Sequence, residues 1–189
     1  MLERLFDAIK PAFLMAMMLW IVSPFVAGAR NCSEAQCNDA SVEDSVVVAA
    51  KNLADQLVEN GMKMLGTPYH YGSSGPKTFD CSGFTRYVYK QFGYTLDHSS
   101  SGQSRQGREV KGPWSNLQKG DLVIFAARHN TDRIGHVGIF IEADSSGKDF
   151  TFIHAAVQGG VIISHYSEPY YSSRYIGARR IIPDFITAK

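Results

Sequence analysis

Apolar residues recur at helical spacing in the first half of the chain and gather into short extended runs in the second. Val47, Ala50, Leu53, Ala54, Leu57, Val58, Met62 and Leu65 fall mostly three or four positions apart. They follow a capping signal at Ser41-Val42-Glu43-Asp44 and end at Gly66, which predicts an amphipathic helix with its apolar stripe in a core. Phe84, Val88 and Phe92 repeat the pattern and Gly93 closes it. The Gly-, Pro- and Ser-rich stretch from Gly66 to Pro76 reads as a loop before this second helix, so Cys81 falls in its first turn. Tyr94 to Gly120 is polar and loop-rich, with one helical turn expected near Ser101 to Gln106. The period then changes. Asp121 to Ala126, Gly135 to Ala143, Phe150 to Ala155, Val161 to His165 and Tyr175 to Ile182 are β-branched and aromatic runs divided by turn residues. Helices first and strands after predict an α+β domain, with N-terminal helices packed on an antiparallel sheet of about five to six strands.

The first 29 residues stand apart. Arg4 and Lys10 precede an apolar run from Ala12 to Val22, followed by Pro24 and the small residues Ala27-Gly28-Ala29. We read residues 1–29 as a signal peptide cleaved after Ala29, with an uncleaved anchor as the alternative, since the uncharged span from Pro11 is nearly long enough to cross a bilayer. Arg30 and Asn31 argue against a lipid anchor on Cys32. Residues 30–50 read as a polar linker and the start of the first helix, and residues 51–185 as the folded domain. The leader therefore predicts an exported protein of the periplasm or cell envelope, touching membrane only through that leader if it is retained.

Export changes how the three cysteines are read. Cys32 and Cys37 are close enough to pair in an oxidising compartment, or else are idle thiols of the linker; on the first reading Cys81 is the free thiol. A net charge of +1, without a Lys/Arg run, speaks against a nucleic-acid partner.

Cys81 in a first helical turn is a candidate nucleophile, because unpaired N–H groups and the helix dipole favour a thiolate there and can also hold an oxyanion. Gly83 is expected to keep the approach to the sulfur open. Alone, a free cysteine is more often a small buried hydrophobe. The best base is His136 in Gly135-His136-Val137-Gly138-Ile139-Phe140, on the strand face opposite Val137, Ile139 and Ile141 and so away from the most apolar side. Asp144 to Asp149 reads as a hairpin loop. Folding about Ser145 or Ser146 brings His154 opposite His136, or diagonal to it, on the same face, within roughly 4.5–8 Å. His154 would then fix the tautomer and ring plane of His136. A metal site is not expected, since no third ligand other than Cys81 is in view. No cofactor is called for either. His70, His98, His129 and His165 read as surface or rim residues.

These segments resemble a known family. Gly66-Thr67-Pro68-Tyr69 through Asp80-Cys81-Ser82-Gly83-Phe84, Leu117 to Phe125, Gly135 to Ile139 and Phe152-Ile153-His154-Ala155 look like the successive motifs of the NlpC family of papain-like cell-wall cysteine peptidases. The tail from Gly160 to Tyr175 is similar to the Spr-type murein endopeptidases within it. The resemblance implies a papain-like fold and catalysis by Cys81, His136 and His154. It also implies an oxyanion held by the Cys81 N–H and the Tyr69 hydroxyl, and a substrate groove lined by Asp80, Ser82 and Tyr71. The implied activity is hydrolysis of peptidoglycan stem peptides or cross-links, at a D-Ala–diaminopimelate or γ-D-Glu–diaminopimelate bond, by a monomer. The alternatives are a catalytically silent peptidoglycan-binding or scaffold module on the same fold, and an amidase or acyltransferase of a neighbouring class. Ser73-Ser74 and Asp97-His98 depart from the family pattern on the flanks of the groove, where they bear on substrate preference.

Overall fold

The computed structural model describes residue 49 and residues 53–128 and 132–183. The expected leader, Cys32, Cys37, His129 and the beginning of the first helix lie outside the described residues. Among those described, no helix is long and apolar enough to cross a membrane.

Helix α1 covers residues 53–62 and gives way to turns up to Gly66. Helix α2 is Cys81–Lys90 and α3 is the single turn Ser100–Gln103, where a helical turn was expected. The strands are β1 Arg108–Val110, β2 Leu122–Ala126, β3 Ile134–Ala143, β4 Phe150–Ala156, β5 Gly160–His165 and β6 Tyr175–Arg180, with the short helix α4, Pro169–Ser172, before β6. All pairings are antiparallel, and the order is β1-β6-β2-β3-β4-β5. The α+β expectation holds, with six strands. Two elements correct the expected loops: β1 lies inside the stretch read as polar loop, and α4 follows β5.

Both faces of the sheet are buried. Leu122, Ile124, Val137, Ile139 and Ile141 meet Leu57, Val58, Phe84, Val88 and Tyr89 from α1 and α2. The other face, expected to be the less apolar, is an aromatic core built on Phe125, Phe140, Phe150 and Phe152. Trp114, Tyr166, Tyr171 and Tyr175 close over it, with ring centroids 4.7 Å apart for Trp114 and Tyr166 and 5.0 Å for Phe125 and Phe152. Edge-on and tilted contacts of this kind add to the apolar area buried. A buried ion pair joins the sheet to the turn before β2: Arg180 donates to both Asp121 oxygens at 2.8 Å and to the Asn116 carbonyl at 2.7 Å.

Two glycines bring the helices and strands close enough for chemistry. A Cβ on Gly83 would sit 2.0 Å from the Ser73 carbonyl oxygen, so Gly83 lets the start of α2 dock against the Ser73-Ser74 loop. That corrects the expectation that Gly83 clears the path to the sulfur. A Cβ on Gly138 would lie 2.7 Å from the Phe152 ring and 3.2 Å from the Cβ of His154, so the missing side chain lets β4 pack closely against β3 beside His154.

Candidate active site

Asp80 builds the start of α2. Its carboxylate accepts from the Gly83 N–H at 2.6 Å, the Ser82 hydroxyl at 3.0 Å and the Gly72 N–H at 2.8 Å, an N-cap that also ties down the preceding loop. Asp80 is 8% exposed and Ser82 5%. The Ser82 hydroxyl further meets the His98 carbonyl at 3.0 Å. The structure thus engages both side chains internally, where the sequence reading had them lining a groove. Tyr71, at 85% exposure, is the one of the three that stands open to a ligand.

The cap fixes Cys81 as the first residue of α2, buried and unpaired. The backbone N–H groups of Val137, Ser82 and Cys81 itself favour its thiolate. The β3–β4 ladder explains the first of these. It runs from Ala143–Phe150 to Ile139–Ile153 and stops there, two residues short of Val137.

His136 and His154 come together as the hairpin arithmetic predicted. The register places Ile139 opposite Ile153, which makes 136 and 154 diagonal neighbours, and His136 Nε2 lies 2.8 Å from His154 Nδ1. The rings stand at 90° to one another. His154 is fully buried, and its Nε2 lies 3.2 Å from both the Ser164 hydroxyl and the Tyr171 hydroxyl. Ser164 and Tyr171 escaped the sequence reading. Ser164 carries the signal of a polar residue in an apolar strand, whereas Tyr171 sits on a single helical turn with no periodicity to mark it.

The contacts dictate the proton positions needed for base chemistry. His136 Nε2 is taken up by His154, so Nδ1 is left to receive a proton. For Nδ1 to hold a lone pair, Nε2 must carry the hydrogen and donate it to His154 Nδ1. His154 must then be protonated at Nε2, where the Ser164 and Tyr171 oxygens can accept.

Burial keeps the centre neutral at rest. It pushes the Cys81 thiol up to about 11, helped by the nearby Asp80 charge and opposed by the three N–H groups. It pushes His136 down to about 4, and holds His154 well below the ordinary histidine value, with the neighbouring His136 adding to the effect. Tyr69 is raised to about 12 by burial first and then by Cys81, Asp80 and Tyr71, so it keeps its proton as a donor. A pH dependence of stability follows. Below the ordinary histidine value of 6.5 the unfolded chain takes up protons that the folded chain refuses until about 4, so stability falls as pH drops through that window. Above the ordinary thiol value of 9.0 the unfolded chain loses a proton that the folded chain keeps until about 11, so stability falls again as pH rises. Melting temperature measured from pH 4 to 11 is expected to plateau between these limits, with a shallower alkaline decline in Cys81→Ala.

His70, His98 and His165 are exposed, as expected of rim residues. A model of the NlpC/P60 family matches residues 66–180, the stretch that carries all of these contacts. The chain belongs to the NlpC/P60 family. Among its relatives, the murein DD-endopeptidase MepS/murein LD-carboxypeptidase of Escherichia coli K12 is 42% identical over 118 residues, which is 62% of this chain and 57% of that protein. The gamma-D-glutamyl-L-lysine dipeptidyl-peptidase of Bacillus cereus is 37% identical over 131 residues, 69% of this chain and 37% of that protein. This chain therefore spans less than two thirds of the length of either relative. An NlpC/P60 family protein of Bacillus cereus seen in a crystal structure superposes with a TM-score of 0.61 at 37% identity, covering 69% of this chain and 40% of that one. The α+β sheet described above is thus the NlpC/P60 fold.

Proposed function

We propose that this chain is an exported cysteine endopeptidase that cuts peptidoglycan stem peptides or their cross-links. The observation that carries the reading is the His136–His154 pair held at 2.8 Å, with His136 next in the chain to Val137, whose N–H favours the Cys81 thiolate. Cys81 passes its proton to His136 Nδ1, and the sulfur attacks the scissile carbonyl carbon. Each charge is costly here alone, but thiolate and imidazolium form side by side and offset one another. The Cys81 N–H and the Tyr69 hydroxyl stabilise the oxyanion. His136 then gives its proton to the leaving amine, and a water activated by His136 releases the acyl group. His154 stays neutral throughout and orients His136.

The E. coli and B. cereus relatives are named for different stem-peptide bonds, and the tail resemblance from Gly160 to Tyr175 leans toward the D-Ala–diaminopimelate cross-link. Cys81, His136 and His154 are all present, with the two histidines 2.8 Å apart, which favours the enzyme over a silent binding module. Residues 1–29 would direct export, or anchor the protein if retained, and Cys32 and Cys37 would pair outside the cytoplasm. A thiol and an imidazole suit acyl transfer, whereas glycan cleavage uses paired carboxylates flanking the bond. Digestion of purified sacculi followed by mass spectrometry is therefore expected to give shortened or uncross-linked muropeptides with intact glycan strands. Release of reducing sugar without new peptide termini would overturn the reading.

A further inference from the structure

Tyr171 packs against both histidines of the centre. It lies on α4, where the Glu168 carbonyl accepts the Tyr171 N–H at 2.9 Å and the Ser172 N–H at 3.0 Å and so ties down the turn. Its ring is nearly parallel to that of His136, at 28° with centroids 6.4 Å apart, and edge-on to that of His154, at 77° and 5.3 Å. Phe125 and Phe152 flank it at 5.5 and 5.0 Å. Held among these rings, the side chain brings its hydroxyl to within 3.2 Å of His154 Nε2. The neighbouring rings at 125 and 152 are phenylalanines, so packing in this core does not itself call for a hydroxyl.

Ser164 arrives at the same nitrogen from β5. The register sets His154 opposite Ile162, which makes Ser164 its diagonal neighbour on the same face, and the Ser164 hydroxyl also lies 3.2 Å from Nε2. Two equal separations of this length bear on where the proton sits. They fall at the long end of the range for an N–H donating to oxygen and beyond that of hydroxyl-donated bonds to oxygen, and one N–H shared by two acceptors lengthens both contacts. A ring lone pair in the same place takes only one hydroxyl proton and leaves the second oxygen facing it. The surroundings therefore favour hydrogen on Nε2.

The opposite tautomer is of no use to the reaction. With its hydrogen on Nδ1, His154 donates to His136 Nε2; the His136 hydrogen then sits on Nδ1, and no lone pair remains there for the Cys81 proton. We propose that Tyr171 and Ser164 are positioning residues for the peptidase reaction, whose two hydroxyls together hold the hydrogen of His154 on Nε2. The proposal rests on the peptidase reading above. Neither side chain bonds to substrate or exchanges a proton during turnover, and both act through the histidine pair. The pairing matters because one hydroxyl left alone donates to a ring lone pair more strongly than it accepts from a ring N–H. Removing either hydroxyl thus turns the survivor into a donor and reverses both tautomers.

Two measurements on the purified chain test this. Nitrogen NMR of histidine-labelled protein tells a ring nitrogen that carries hydrogen from one that carries a lone pair, and the His154 signals are those lost in His154→Asn. The wild type is expected to hold its hydrogen on Nε2. Tyr171→Phe, which keeps the ring, is expected to shift about nine tenths of the molecules to the Nδ1 form, and so to lower kcat for muropeptide release about tenfold with KM within about twofold. Asparagine at 154 has no atom at the Nε2 position, so in a His154→Asn background the same substitution is expected to cost less than about twofold. Ser164→Ala carries the same comparison if Tyr171→Phe disturbs the fold. Hydrogen on Nδ1 in the wild type would overturn the proposal, as would unchanged tautomers in the folded variants or a loss from Tyr171→Phe that persists in full in the His154→Asn background. Failure of the wild-type chain to cut sacculi would instead remove the peptidase reading, while the NMR signals still decide the tautomer.

Discussion

Cys81→Ala is expected to lower stem-peptide hydrolysis by a factor on the order of 10⁴ or more, effectively to background, while the protein still folds. In the proposed mechanism the sulfur is the group that bonds to the substrate, and no other thiol lies in the matched region, residues 66–180. Packing contributes less at this position. Cys81 is 9% exposed at the edge of the helix-facing core, so losing one sulfur atom costs about 1 kcal/mol, or a few degrees in melting temperature for a domain of this size. Muropeptide release by the purified variant, read beside its thermal melt, makes the check. Wild-type turnover in a folded Cys81→Ala protein would refute the assignment of the nucleophile.

His154 should divide its substitutions by chemistry. Asparagine can still accept the His136 Nε2–H, so His154→Asn is expected to lose about tenfold in kcat/KM, and His154→Ala about a hundredfold or more. Alanine also leaves a cavity and strips the Ser164 and Tyr171 hydroxyls of their ring partner, for a stability loss of about 2–4 kcal/mol. Denaturant melts separate that loss from the rate effect. If both variants lose the same rate once fully folded, His154 packs the aromatic core and does not orient His136.

The pairing of these histidines was legible because a hairpin is arithmetic: a loop at 144–149 and strand alternation fix which positions share a face, even with the register shift between Phe140 and Glu142. The two early helices were legible from their spacing. Strand β1 was not, since three residues, Arg-Glu-Val, are too few to show a period. The character of the His136 face was missed for a different reason. Alternation showed which residues share a side, but it could not show that Trp114, Tyr166 and Tyr175 return from distant segments to cover that side. Asp80 carried a readable signal of its capping role, an acid three residues before a glycine N–H at a helix start, which the sequence reading did not use. Its neighbours show the carboxylate already occupied.

That occupied carboxylate also bears on how long the nucleophile lasts. Burial and, after it, the Asp80 charge keep the Cys81 thiol protonated between turnovers. Peroxide and disulfide exchange act on thiolates, so a thiol that burial holds protonated is a poor target for either. Burial, with the charge of the residue that caps helix α2 adding to it, thus gives the sulfur chemical durability, at the cost of some intrinsic reactivity.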